Sequence, residues 1–229
     1  MSSSIARVMQ RIQQKWGQGA ITTARHLQTN IHTIPTGFAA LDALITGIPC
    51  GHITAIVGHP TSGLTTLTYH IIASAQKQGR HVVHIHQGTT FDAHYAMQCG
   101  VRMQGLLAVD VDNPVTGLDV TRAIVASRAV GLVVLNILGA TDTLLDVRPF
   151  VRDLRSADCA VLCLVTPTTR TNATSLRLAV KRQKWTRQYG VVMGCLSSVS
   201  VQKNKLGASG HHALLLLPFP LETEWRVDP

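Results

Sequence analysis

Apolar residues follow two alternating rhythms along this chain. Unbroken or alternating apolar runs at residues 53–57, 81–86, 105–109, 131–138 and 160–165 read as strands, and the Val- and Leu-rich run at 131–138 suits the middle of a parallel sheet. Between them, residues 65–78, 91–99, 118–130 and 150–157 read as helices, most with apolar side chains at steps of three and four, and Pro149 marks the start of the last. Alternation of this kind predicts an α/β fold, a mostly parallel central sheet flanked by helices on both faces. From residue 176 the helical rhythm stops, and residues 176–180, 191–201 and 213–217 read as strands added side by side, with antiparallel members. At the amino end, Ile5, Val8, Met9, Ile12 and Trp16 form one apolar stripe on a short helix that stops before Gly17. An isolated helix of this length is marginal in water, so the stripe must bury against its own domain or a neighbouring subunit. Residues 20–34 are polar and extended, residues 38–44 form another short helix, and Gly47 and Gly51 frame the turn into the first core strand. The expected division is an arm at 1–33 and a core domain at 34–229.

Between the first core strand and its helix lies Gly58-His59-Pro60-Thr61-Ser62-Gly63-Leu64-Thr65-Thr66. A phosphate-binding loop has the pattern G-x-x-x-x-G-K-[ST] in this context: backbone N–H groups cradle phosphates, the lysine reaches the terminal ones and the hydroxyl holds magnesium. Gly58, Ser62, Gly63, Thr65 and Thr66 fit it, and Leu64 stands where the lysine belongs. A plain strand–turn–helix remains the alternative at this point.

Charge adds a partner class. The formal net charge of +9 arises from few acids rather than many bases, and it suggests an anionic partner, nucleic acid being the commonest. Aromatic residues are scarce, which argues against a broad base-stacking platform. No run of eighteen apolar residues occurs and the first ten residues lack the order of a signal peptide, so a cytoplasmic protein without membrane contact is expected. The five cysteines, with no C-x-x-C spacing, are expected to be buried free thiols. His84 with His86 and His211 with His212 invite a metal, but no further ligand of suitable spacing joins either pair, and no metal site is expected.

Several segments together resemble the bacterial RecA recombinase family. Residues 14–21, QKWGQGAI, look like the segment that follows its polymerisation helix. Ile34-Pro35-Thr36-Gly37 with Leu41-Asp42 is similar to the I-S-T-G-x-x-x-L-D lead-in to the core, residues 73–80 to the end of the helix behind the phosphate loop, and residues 92–101 to the region that packs on adenine. Val201-Gln202-Lys203-Asn204-Lys205 is similar to V-V-K-N-K. The resemblance implies a RecA-type core with an N-terminal oligomerisation helix carrying Ile5, Val8, Met9, Ile12 and Trp16. It also implies a nucleotide site at the loop, Tyr95 against the adenine, and Lys203 and Lys205 reaching a neighbouring subunit's nucleotide.

At the positions where RecA has a water-orienting glutamate and a magnesium-proximal aspartate, the chain has Gly88 and Asn136, and the polar sensor falls near Thr166-Pro167. Phosphoryl transfer depends on charge neutralisation and positioning at the γ-phosphate, so these losses with Leu64 predict no useful turnover. No cofactor is expected, and ATP binding, if retained, is weak.

The two RecA loops that hold single-stranded DNA follow the strands ending at Asn136 and Val165, and both look shortened. Arg170 is the one charge left in the second. A separate cluster, Arg177, Lys181, Arg182, Lys184 and Arg187 around Trp185, supplies other DNA candidates. In a regular strand Arg177 and Lys181 share one face and Arg182 and Lys184 the other, so no single stripe is expected. Three functions follow: an inactive RecA-like protein of repair or recombination that binds DNA or assembles with itself or with RecA; an accessory protein for a lesion-copying polymerase without DNA contact of its own; or an ATPase using Lys203 and Lys205 across an interface.

Overall fold

The computed structural model describes residues 3–17, 21, 31–138 and 144–219 of the chain. Most of the polar stretch at 20–34 and residues 139–143 lie outside the described residues. Two compact units emerge, Met1–Ile31 and His32–Pro229. In the first, α1 (Ser3–Trp16) carries the expected stripe, with Ile5, Val8 and Trp16 exposed and Met9 and Ile12 half-buried. The Lys15 ammonium lies 4.8 Å from the centre of the Trp16 ring.

The second unit opens with a two-stranded ribbon, β1 (Thr33–Ile34) and β2 (Ile48–Pro49), around α2 (Ala39–Ile45). The Thr36 N–H donates to Asp42 Oδ1 at 2.9 Å, which explains why a Thr-Gly pair precedes a Leu-Asp pair here. The main elements then follow: β3 (Ile53–Gly58), α3 (Leu64–Lys77), β4 (Val82–His86), α4 (Ala93–Gln98), β5 (Leu106–Asp110), α5 (Pro114–Ser127), β6 (Leu132–Asn136), β7 (Leu144–Leu145), α6 (Arg148–Ser156), β8 (Ala160–Val165), β9 (Arg170–Thr171), β10 (Leu176–Gln188), β11 (Val191–Asn204) and β12 (His212–Pro218). Helix α5 begins four residues before its apolar rhythm, because the Asn113 side chain accepts from the Thr116 N–H at 2.9 Å and Pro114 needs no N–H acceptor.

Eight strands form one sheet in the order β12-β11-β10-β3-β8-β6-β4-β5. The six from β10 to β5 run parallel, and β11 and β12 add antiparallel pairs at one edge, as the change of rhythm at residue 176 predicts. Strands β3, β6 and β8 are buried at every position. One face packs on α2, α3 and α4 through Leu41, Leu67 and Ala96, and the other on α5 and α6 through Val125 and Leu154. Strands β10 to β12 bury mainly the first face, through Leu178, Val199 and Leu215, with Ala179 half-buried against the second, while Leu214 and Leu216 on the opposite face of β12 are exposed. All five cysteines are buried and free, and burial pushes the Cys159 and Cys163 thiols up to about 12. Among the described residues, no helix is long and apolar enough to cross a membrane.

His84 and His86 sit in an aromatic cluster, with the Phe91 ring 4.9 Å from His84 and 5.4 Å from His86. His84 is fully buried, its Nδ1 has no partner, and burial followed by the neighbouring His86 lowers its pKa to about 3. The unfolded chain takes up this proton below its ordinary pKa near 6.5, whereas the folded chain resists until about 3. Stability from this group is therefore complete above pH 6.5 and is lost as the pH falls from there towards 3. Chemical denaturation at pH 7 and pH 5 is expected to show the natural chain losing about 2 kcal/mol more than His84→Leu over that interval.

Candidate functional site

Strand β3 delivers the chain at Gly58 into a loop that closes on Gly63, whose φ of +89° places it in the left-handed region just before α3. Only glycine suits this position. A Cβ on Gly63 would run into the Leu217 side chain and come within 3.1 Å of Cys195 Sγ, so β11 and β12 are built against the loop. The Ser62 carbonyl accepts from the buried Ser197 hydroxyl at 2.7 Å, which fixes the same junction. The first-turn amides of α3 therefore open onto one side of the loop, where helix geometry leaves them without intrahelical acceptors.

That side holds a cavity of about 380 Å³ lined by residues 59–61, 63–66, Tyr95, Leu138 and Phe219. Its surroundings are mostly apolar. Leu64 is 3% exposed and joins the core with Leu67, so an apolar side chain fills the position next to the glycine. The Thr66 hydroxyl is bonded to the Tyr95 hydroxyl at 2.7 Å, and Tyr95 packs edge-on to Tyr69 and Phe219. Burial pushes the Tyr95 phenol up to about 12, so it stays neutral and acts as a hydrogen-bonding group.

Gly58 and Ser62 line a second cavity, about 440 Å³, which shares residues 59–61 with the first and is also lined by Lys181, Arg182 and Gln202. Gly88 and Asn136 line neither cavity. The Gly88 N–H donates to Asp110 Oδ1 at 2.8 Å, and the buried Asn136 bends back so that its Oδ1 accepts from the Leu138 N–H at 3.4 Å.

The family model for the RecA N-terminal domain matches residues 3–147. The chain belongs to the RecA family. It is 38% identical over 141 residues to RecA of a Roseiflexus species, 35% over 139 residues to RecA of Herpetosiphon aurantiacus and 35% over 135 residues to RecA of Aquifex aeolicus. These matches take in 58–60% of this chain and 39–40% of each relative, so the similarity spans about two fifths of the curated relatives' length.

On this RecA-family core, the segments after β6 and β8 are tied to each other. Strand β7 pairs in parallel with β9, Leu144 opposite Arg170 and Leu145 opposite Thr171. Asn172 donates to Asp146 Oδ1 at 2.9 Å and accepts from the Val147 N–H at 3.0 Å, and the Thr166 hydroxyl is bonded to those of Thr168 and Thr169. Arg148 hydrogen bonds, with those of Asn172, hold the Asp146 carboxyl well below the usual carboxylate range. Arg170 is exposed on this ribbon.

Strand β10 runs eight residues past its pairing with β3, which ends at Val180 opposite Gly58, and forms a hairpin with β11 beyond the loop. Of the faces expected for its bases, that of Lys184 changes, because Gln183 bulges between Arg182 and Lys184, while a shift between Thr186 and Arg187 leaves Met193 of β11 unpaired. Arg187, two residues after Trp185 in a stretch of β10 without a bulge, takes Trp185's face, while Lys181 and Lys184 sit opposite Ser198 and Leu196, alternate residues of β11, and share one exposed face. Arg182 is on the other face with its guanidinium 4.0 Å over the Trp185 ring, and it donates to the Thr61 carbonyl at 2.9 Å and the Thr61 hydroxyl at 2.6 Å. Trp185 in turn packs on Phe219 at 5.8 Å. Arg177 donates to Gln202 Oε1 at 3.2 Å and the Thr171 hydroxyl at 3.0 Å. Arg177 and Arg182 are therefore engaged within the fold, unlike the exposed Lys181, Lys184 and Arg187. Lys203 and Lys205 lie near the Arg177 end of the hairpin, away from the loop, and burial followed by Lys205 and Arg177 lowers the Lys203 pKa.

One signal was legible and is absent from the motif reading. Between Asp158 and Glu222 the chain has eight lysines and arginines and no acid. The bulges, by contrast, have no marker in composition.

Gly63→Ala is expected to lose about 2–4 kcal/mol of stability, from left-handed backbone strain and the collision with Leu217, measured by urea denaturation.

Proposed function

We propose that this chain acts in recombination or repair by binding single-stranded DNA without hydrolysing ATP. The observation that carries it is the set of exposed bases on the hairpin, Lys181 and Lys184 on one face and Arg187 near its turn, within a run of eight bases and no acid. Three exposed cations on a hairpin without an acid attract a phosphate backbone and carry little base preference. Arg170, exposed on the tied ribbon, is a further contact, while Arg177 and Arg182 position the surface instead of touching the strand.

Loss of hydrolysis follows from the charges at the loop. If Leu64, Gly88 and Asn136 occupy the lysine, glutamate and aspartate positions of RecA, the site has neither a cation for the γ-phosphate nor a carboxylate for water or metal. Each missing group of this kind costs on the order of a hundred-fold in rate. Leu64 also makes the cavity beside the loop apolar, where a triphosphate is costly to desolvate. Assembly with a second copy or with another RecA-family chain draws on α1, whose exposed Ile5, Val8 and Trp16 lie beside Arg7, Arg11 and Lys15. Lys203 and Lys205 would face a neighbour in such an assembly.

An accessory protein without DNA contact is the second reading, and the β7–β9 ribbon favours it by tying down the segments that follow β6 and β8.

Fluorescence anisotropy with a labelled single-stranded oligonucleotide, across salt and with and without ATP, separates these. Binding is expected to be independent of ATP and to fall steeply with salt. Lys184→Ala combined with Arg187→Ala should weaken it and flatten the log–log salt slope by about 1–2. Absence of binding by the natural chain at 50 mM salt would favour the accessory reading, and ATP-dependent binding with phosphate release would overturn the loss of hydrolysis.

A further inference from the structure

The hairpin between β10 and β11 turns on two residues, Tyr189 and Gly190, between the paired Gln188 and Val191. Both have positive φ, +48° and +82°, as a two-residue turn that follows strand twist requires. Gly190 meets that demand without strain. At the first position the turn favours Asn, Asp or Gly, and a bulky ring is a costly choice with no local return. Tyr189 is 97% exposed, so its ring packs on nothing in the fold and does not support the hairpin. Val191 beside it is also exposed.

The surroundings define what the ring suits. Lys181 and Lys184 lie along one face of the hairpin, and Arg187 is exposed two residues before the turn. The hairpin has run beyond the end of β3, and past Gly194 it has run beyond β12 as well, so its tip stands clear of the sheet on both sides. A planar ring at the tip of a hairpin with exposed cations and no acid matches the two chemistries of a single nucleic-acid strand: phosphates along the cations and the face of a base at the tip.

We propose that Tyr189 stacks on an unpaired base of a single strand whose phosphates lie along Lys181 and Lys184, with Arg187 beside the turn. This rests on the DNA-binding reading and adds a contact of a different kind, one that salt does not screen. Low aromatic content rules out a platform of several rings, but a single ring at a fixed turn needs no platform.

The test uses Tyr189→Asn, which suits the turn and so preserves the hairpin, and Tyr189→Trp, which keeps a ring. Anisotropy is measured with a labelled oligonucleotide and with its abasic counterpart. Tyr189→Asn should bind the oligonucleotide about ten-fold more weakly at every salt concentration, leaving the salt slope unchanged, and Tyr189→Trp should bind it like the natural chain. On the abasic strand all three should bind alike. Binding by Tyr189→Asn within two-fold of the natural chain on the base-containing strand overturns the stacking contact while leaving phosphate binding intact. An equal loss on the abasic strand also overturns it. No binding by the natural chain to either strand overturns the DNA-binding reading itself, and the stacking contact with it.

Discussion

The hydrogen-bond ladder of β3 is the element on which both halves of the sheet depend. On one side it pairs in parallel with β8, which leads to the helix-covered α/β half; on the other it pairs in parallel with β10, which begins the helix-free extension. Being buried at every residue, it can tolerate no change of register, because a slip of one position would move its side chains from one packed layer to the other. The loop inherits that rigidity. Gly58 is held at a fixed height between Val180 and its own neighbours, and Gly63 is pressed against the side chains of β11 and β12. A loop whose motif suggests mobile chemistry is in this chain a packed joint.

How much of this the sequence discloses depends on the scale of the physics. Strands such as residues 131–138 and helices such as 65–78 are legible because apolar period alone decides them, and the order of elements then dictates a parallel sheet. The start of α5 is less legible, since a single side chain, Asn113, caps it outside the apolar rhythm. The faces of β10 are not legible at all. Alternation predicts a split cluster, and the bulge at Gln183 moves Lys184 to the face of Lys181; bulges arise from the pairing of two strands, which no single segment encodes. The partners of Arg177 and Arg182 are hidden for the same reason, lying 25 and 121 residues away. Leu64 is a middle case: the sequence shows an apolar residue where the phosphate-loop pattern has a lysine, and only burial shows that it is part of the core.

Membership of the RecA family rests on residues 3–147, whereas the bases that matter most for the proposed function lie after them. The two parts are joined physically by the loop, which the matched segment contributes and the later strands clamp. The glycines and the helix start still shape the end of β3, while the positive charge of the molecule is concentrated on the hairpin beyond it.

Arg182 gives that arrangement a thermodynamic consequence. One guanidinium spans the hairpin and the loop, resting on Trp185 and bonded twice to Thr61. A ligand that draws Arg182 away must work against the loop's conformation, and a ligand that stiffens the loop holds the hairpin in place. By linkage the two influences are equal in free energy, whichever is applied first. Hairpin and loop are thus coupled through one side chain, and what displaces either is felt by both.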